Sequence, residues 1–295
     1  MKKNIFYIVD VFAEKKYAGN QLAVFRNAKD LSGSTMQKIA REMHFSETTF
    51  IKSDKKKNNG YDVRIFTPEE ELPFAGHPTL GTAFIIQQTL LKRPAEKINL
   101  NLKVGQIPVT FKYTDKSPGI LWMKQITPVF GKKFRLKQTA EALGLTASQI
   151  DGRFPVEEVS TGIPFIIVPL KALSAVKMID IDRKKYLALI KGAKSKCMLA
   201  FCPETYDRLN DLNVRAFAPI YGVPEDPATG SANGCLAGYL VRHRYFGQDK
   251  IDIRVEQGHE INRPSLLYLK AHKAGGRIEI FVGGRVRLVA TGEFI

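Results

Sequence analysis

Cysteine is scarce in this 295-residue chain: Cys197, Cys202 and Cys235 are the only three, and they lack paired-ligand spacing. An odd trio of this kind excludes a disulfide framework and a cysteine zinc site as organising elements. It makes a reducing cytoplasm the expected setting. No apolar run approaches the roughly 20 residues that a membrane-spanning helix needs. Lys2 and Lys3 precede a short apolar run, but Asp10 interrupts it and no small-residue cleavage site follows, so a secretory leader is not expected. There is no low-complexity tract and no long linker.

Acid is also in short supply. Twenty-nine Asp and Glu face 45 Lys and Arg, a formal net charge of +16. Nucleic-acid phosphates reward clustered basic residues. Here the clusters "KSDKKKNNG" at 52–60, "GKKFRLK" at 131–137 and "DRKKY" at 182–186 are short, lie in polar connecting segments and carry no interleaved aromatics on which bases would stack. A solvated basic surface that also steers anionic substrates fits better, with nucleic-acid binding as the alternative.

What is present is ordinary for a globular protein, 44% hydrophobic and 25% charged residues. The length predicts two domains of roughly 100 to 150 residues each. "NIFYIVDVF" and, after Gly19, "NQLAVF" read as strands, as do "FSETTFI" and "YDVRIFTP". In "STMQKIAREMHF", Met36, Ile39, Ala40 and Met43 recur at helical spacing, with Ser34 available as N-cap. "TLGTAFIIQQTLL" reads as a helix apolar nearly all round, hence surrounded by protein. The turn "TDKSPG" at 114–119 is the expected domain boundary.

A repeat links the two halves. "VRIFTP" from Val63 is followed by a loop and "HPTLGTA" from His77; "VRAFAP" from Val214 is followed by a loop and "DPATGSA" from Asp226. Both copies read Val-Arg-x-Phe-x-Pro and then [His/Asp]-Pro-x-x-Gly-[Ser/Thr]-Ala, which predicts a duplicated strand–loop–helix unit and two similar domains related by a pseudo-twofold axis. Proline suits the first turn of a helix, the later glycine permits close approach, and small residues leave room over the exposed N–H groups. Each block is then predicted to be a helix amino terminus able to seat a carboxylate. Taken singly, either block reads better as a packed helix start, with Asp226 a mere cap. The base-for-acid exchange across the pair favours a functional reading of His77 and Asp226.

Glu47 is the third candidate. Period-two alternation puts Phe45, Glu47, Thr49 and Ile51 on one strand face, so its carboxylate shares that face with apolar residues. Partial withdrawal from water raises a carboxyl pKa, which suits a group that gives and takes a proton near neutrality. A solvent-exposed face, with Glu47 as decoration, fits the alternation equally well.

Together "VDVF", "AGNQLAVF", "FSETTFI", "VRIFTPEEELPFAGHPTLGTA", "STGIPFIIVPL", "EDPATGSANGCLAGYL" and "EQGHEINRPSLLYL" resemble the phenazine-biosynthesis PhzF-like family of the diaminopimelate epimerase fold superfamily, over nearly the whole chain. The resemblance implies an α+β fold of two domains, 1–118 with a C-terminal strand at about 280–295 and 119–279. Each would be a curved, mostly antiparallel or mixed sheet around a central helix, with the active site in the cleft between them. It implies a homodimer with no cofactor and no metal, acting on a small carboxylate. It places acid/base catalysis on Glu47, His77 and Asp226, and substrate contacts on Asn20, Ser46, Gly76, Gly230 and Ser231. Related epimerases and racemases use two cysteines at these helix starts; here the blocks carry none, which argues against a two-thiol racemase. Gln21, where many relatives carry proline, is a small departure. The expected activity is a cofactor-independent isomerisation of phenazine-pathway type. The alternatives are a single-carboxylate epimerase or racemase, and a binding protein without turnover for a small molecule or nucleic acid.

Overall fold

The β-branched and aromatic runs of the sequence become strands, and the computed structural model describes residues 4–114 and 117–294. In chain order the first part comprises β1 (Asn4–Val11), β2 (Asn20–Phe25), α1 (Gly33–Met43), β3 (Glu47–Ile51), β4 (Tyr61–Phe66), β5 (Glu71–Leu72), α2 (Gly76–Ile85), a π-helical turn Ile86–Leu91, β6 (Lys97–Leu102), β7 (Gly105–Thr114) and β8 (Ser117–Lys124). Gly19 turns the chain into β2 with φ of 69°, and a Cβ there would meet the Val11 carbonyl oxygen, so only glycine suits the position. The cap of α1 is Ser32, whose hydroxyl accepts from the Thr35 amide at 3.0 Å, rather than Ser34. The strand expected from "FSETTFI" starts only at Glu47, and Thr48 to Ile51 are all buried, so both of its faces are covered and no alternation remains. The apolar helix of the sequence is α-helical only to Ile85 and then loosens into the π turn.

The second part comprises β9 (Val129–Phe134), α3 (Leu136–Ala142), β10 (Val156–Ser160), β11 (Pro164–Pro169), α4 (Leu173–Lys177), α5 (Arg183–Ile190), β12 (Cys197–Cys202), β13 (Leu212–Ala218), β14 (Val223–Asp226), α6 (Gly230–Arg242), β15 (Lys250–Gln257), β16 (Ser265–Ala274) and β17 (Arg277–Gly284); β18 (Val286–Phe294) closes the chain. Two compact units result, Met1–Lys124 with Gly283–Ile295, and Gln125–Val282. The turn read at 114–119 includes 115 and 116, which lie outside the described residues, and the division itself falls at the end of β8.

Within the first unit the strands pair in the order β18-β1-β2-β3-β4-β6-β7 with senses antiparallel, antiparallel, parallel, antiparallel, parallel, antiparallel. Within the second, β9-β10-β11-β12-β13-β15-β16 runs through the same senses in the same order. The short strands β5 and β14 each pair antiparallel with the strand before them, β4 and β13. Each unit therefore has one topology, and the C-terminal β18 takes in the first unit the place that β9 takes in the second.

Each sheet wraps one helix. All ten residues of α2 are buried, and it packs on β1, β2, β3, β6, β7, β8 and β18. Helix α6 packs on β10, β11, β15 and β16. Fully enclosed side chains such as Leu80 and Ile85, or Leu236 and Leu240, contribute roughly 1.5–3 kcal/mol each relative to exposure. Gly81 sets how close α2 approaches: a Cβ there would lie 2.6 Å from Leu22 Cδ2 and 2.9 Å from Val11 Cγ2. The glycine of the first repeated block thus serves helix–sheet packing.

Candidate functional site

The repeated Val-Arg-x-Phe-x-Pro segments lead into the loops that carry the candidate residues. Arg64 on β4 reaches Glu71 on β5 through two hydrogen bonds of 2.7 Å, and its guanidinium lies 5.0 Å from the Phe66 ring centre. Arg215 on β13 does the same to Glu225 on β14, at 3.0 and 2.6 Å, with its guanidinium 5.1 Å from the Phe217 ring centre. In each copy the arginine is stacked on the phenylalanine two residues on and forked onto a glutamate of the following short strand, a bidentate geometry that fixes direction as well as energy. The Arg64 hydrogen bond, together with Lys103, holds the Glu71 carboxyl down at about 2. This clamp is what the repeated Arg and Phe do; neither carries chemistry.

In the first unit the clamp leads into α2, with Gly76 and His77 as its opening residues. Pro78 lacks an N–H by its chemistry, so the amides of Gly76 and His77 are the donors left at that end. The His77 ring is buried, and its Nε2 stands 3.4 Å from Oε2 of Glu47, the first residue of β3. Glu47 is itself largely withdrawn from water, its side chain 16% exposed. Strand β2 completes the surroundings: Leu22 lies beside Glu47 in the parallel register, and the Gln21 backbone hydrogen-bonds the His77 ring. That bond uses the main chain, so glutamine in place of proline at 21 leaves it intact. Asn20 is buried at the head of β2, and Ser46 is half-buried just ahead of Glu47.

Burial pushes the His77 imidazole down to about 3, with the Gln21 backbone bond pulling weakly the other way. His77 is therefore neutral at physiological pH and its contact with Glu47 is not an ion pair. The Gln21 backbone bond favours a protonated ring nitrogen, and it is not made by Nε2, so the neutral ring carries its proton on Nδ1 and presents Nε2 to Glu47 as an acceptor.

The second unit places its residues differently. The "DPATGSA" block does not begin a helix: Asp226 is the last residue of β14, and α6 starts only at Gly230 after Thr229. The first block begins inside its helix, with His77 second in α2. Asp226 is thus not an N-cap, and the second block is not the helix amino terminus that the repeat predicted, because α6 begins four residues after Asp226. The Thr229 hydroxyl donates to Asp226 Oδ2 at 2.5 Å. The amides of Gly230, Ser231 and Ala232 precede the first intrahelical bond, Asn233 N–H to the Thr229 carbonyl at 3.0 Å, and form the positive end of the α6 dipole. Glu47 and His77 are thus brought together in one unit, while Asp226, Gly230 and Ser231 are neighbours in the other.

Sequence reasoning did not single out Thr229, Gln257, Glu71 or Glu225. All four lie inside the quoted segments, but what each does depends on contacts made only in the fold. The three cysteines are buried and free, and burial pushes Cys197 and Cys235 up to about 12 and 11, so neither thiol is poised as a base. Among the described residues no group of three or more His, Cys, Asp or Glu is arranged to hold a metal ion, and no helix is long and apolar enough to cross a membrane.

Comparison with known proteins places the architecture in a class. The phenazine biosynthesis-like protein family, PhzC-PhzF, matches residues 9–292. A "Trans-2,3-dihydro-3-hydroxyanthranilate isomerase" of Pseudomonas aeruginosa is 35% identical over 98% of both chains. The crystal structure of a PhzF-family phenazine biosynthesis protein from Bacillus anthracis superposes with a TM-score of 0.91 at 26% identity, covering all of both chains. A probable proline racemase from Agrobacterium radiobacter shares the fold alone, with a TM-score of 0.61 at 8% identity over 99% of this chain and 93% of its own. The chain belongs to the phenazine biosynthesis-like family, in the epimerase-like α+β fold, and is an isomerase of that family.

Proposed function

We propose that the protein moves a proton on a small carboxylated, amino-substituted cyclic molecule, with Glu47 as the group that takes and returns it. The observation that carries this reading is the approach of Glu47 to a buried, neutral His77. A base that must become an acid within one turnover is best served by a partner whose charge does not change. His77 orients the carboxyl group, Asp226 orients a polar substituent of the substrate, and the amides of Gly76, Gly230 and Ser231 hold its carboxylate. Asn20 and Ser46 line the Glu47 side. A proton shift of this kind calls on no cofactor. The substrate class follows the Pseudomonas aeruginosa relative, whose name specifies trans-2,3-dihydro-3-hydroxyanthranilate. The reading extends to a homodimer at work in the cytoplasm, in keeping with three free thiols.

Incubation with trans-2,3-dihydro-3-hydroxyanthranilate in D₂O, followed by NMR, tests the reading. Isomerisation with deuterium at the carbon that receives the proton is expected. Absence of both conversion and exchange, from that compound and from other amino-substituted cyclic carboxylates, would overturn it. Light scattering reads the dimer.

A further inference from the structure

Gln257, the last residue of β15, is fully buried and its amide is saturated by the loop that carries Asp226. Its Oε1 accepts from the Thr229 amide at 3.1 Å and from Asn233 Nδ2 at 3.0 Å. Its Nε2 donates to the Asp226 carbonyl at 2.8 Å and to Thr229 Oγ1 at 3.0 Å. Every direction in this network is fixed. The Thr229 main-chain N–H can only donate, so it faces the oxygen of Gln257; the Asp226 carbonyl can only accept, so it faces the nitrogen. Asn233 Nδ2 is fixed by its second bond, to the Thr229 carbonyl at 3.0 Å. Thr229 Oγ1 is then already an acceptor, and its single proton is left for Asp226 Oδ2, at 2.5 Å.

We infer that Gln257 and Thr229 are positioning residues for the proposed reaction: Gln257 polarises the Thr229 hydroxyl so that it donates to Asp226 and holds that carboxylate in one rotamer. The idea rests on the reading in which Asp226 orients the substrate. The arm belongs to the second copy of the repeat. In the first copy the position equivalent to Thr229 is Leu80, which has no hydroxyl to donate. The exchange of His for Asp between the copies is thus accompanied by a separate means of orienting the acid. Asp226 also has a neighbour that fixes its strand rather than its side chain. Glu225 is forked onto Arg215, which in turn donates to the Val176 and Ile179 carbonyls at 2.9 and 3.1 Å. With the backbone held by that clamp and by Gln257, the side-chain rotamer is the freedom that Thr229 removes.

Three variants test the inference: Thr229→Val deletes the donor at nearly constant shape, Thr229→Ser keeps it, and Gln257→Glu turns the amide donor into an acceptor, which draws the Thr229 proton away from Asp226. Two readouts are needed. One is the ¹³C resonance of the Asp226 carboxyl, assigned by its loss in Asp226→Asn. The other is kcat and KM for trans-2,3-dihydro-3-hydroxyanthranilate. The expected result is that the resonance moves in Thr229→Val and Gln257→Glu and returns in Thr229→Ser. In the same two variants kcat should fall by roughly tenfold or more while KM changes by less than about threefold, the mark of an interaction that matters in the transition state. A resonance unmoved in Thr229→Val overturns the inference, whatever the kinetics. A resonance that moves without any change in turnover leaves the positioning intact and removes Asp226 from the reaction, so the two failures are told apart. If Gln257→Glu fails to fold, the Thr229 pair alone decides.

Discussion

Arg215 and Glu225 form a forked ion pair in which the arginine side chain is 10% exposed and the glutamate 8%, whereas the equivalent Arg64 and Glu71 in the first copy are 32% and 15% exposed. The same motif is therefore built twice at different depths. Desolvation makes the deeper pair the more expensive one to break, because removing one partner leaves the other charged and buried.

Arg215→Met is accordingly expected to destabilise by about 3–5 kcal/mol, since it strands Glu225. Arg64→Met should cost clearly less, because its partner keeps Lys103 at 2.7 Å and the site is better screened. Chemical denaturation of both variants, with Arg215→Met/Glu225→Met as the double mutant, measures this. Equal losses at the two sites would show that depth is not what decides.

His77 makes a prediction about pH. Its folded pKa, about 3, lies below its ordinary value of 6.5, so between those values the unfolded chain binds a proton that the native state refuses. Stability carried by the neutral ring is therefore complete above about pH 6.5 and is lost as pH falls towards 3, by at most about 1.4 kcal/mol per pH unit. Denaturation of the wild type and of His77→Gln at pH 7.5, 5.5 and 4.5 should show the wild type losing more stability on acidification. Parallel curves would mean that His77 takes up its proton as readily in the native state as in the unfolded chain.

Gly81→Ala sets two effects against each other. Alanine in a helix interior is favoured over glycine by about 0.8–1.0 kcal/mol, while overpacking of a filled core costs typically 1–3 kcal/mol. The new Cβ would meet Leu22, Val11 and Val9 at 2.6, 2.9 and 3.1 Å, three side chains on two strands that cannot retreat together, so packing should win and the variant should be less stable. Adding Leu22→Ala should make the glycine replacement less harmful than it is alone. A stabilised Gly81→Ala would show that the sheet yields.

Much of this was legible in the residues, and the reasons are local. The duplicated strand–loop–helix unit could be read because the clamp needs Arg and Phe at fixed spacing, and α2 because its segment is apolar nearly all round. Other features were hidden. Period-two reasoning left Glu47 open because β3 is covered on both sides, so its burial is set by α2 and β2 rather than by its own pattern. Ser34 yielded to Ser32 because a cap is chosen by where the backbone turns, and both serines offer the same hydroxyl. The second block read as a helix start because sequence alone does not register that α6 begins only at Gly230. Gln257 was invisible because its four bonds are made to residues at least 24 positions away.

Glu47 offers the most direct test of the chemistry. Glu47→Gln keeps the shape of the side chain and its reach towards His77, and removes only the capacity to carry a proton. If Glu47 is the shuttle, kcat on trans-2,3-dihydro-3-hydroxyanthranilate should fall by roughly 10²–10⁴ while binding of a substrate analogue changes little. Stability should also change little, because a neutral amide beside a neutral imidazole needs no compensating charge. Asp226→Ala is expected to differ. It removes an orienting group, so both KM and kcat should suffer. Exchange in D₂O separates the two further: Glu47→Gln should abolish deuterium incorporation along with turnover, while Asp226→Ala should slow it and leave the labelled position unchanged. A Glu47→Gln enzyme with full activity would move the proton transfer to another residue. Undiminished exchange without isomerisation would show that Glu47 serves only the delivery of the proton to the new carbon.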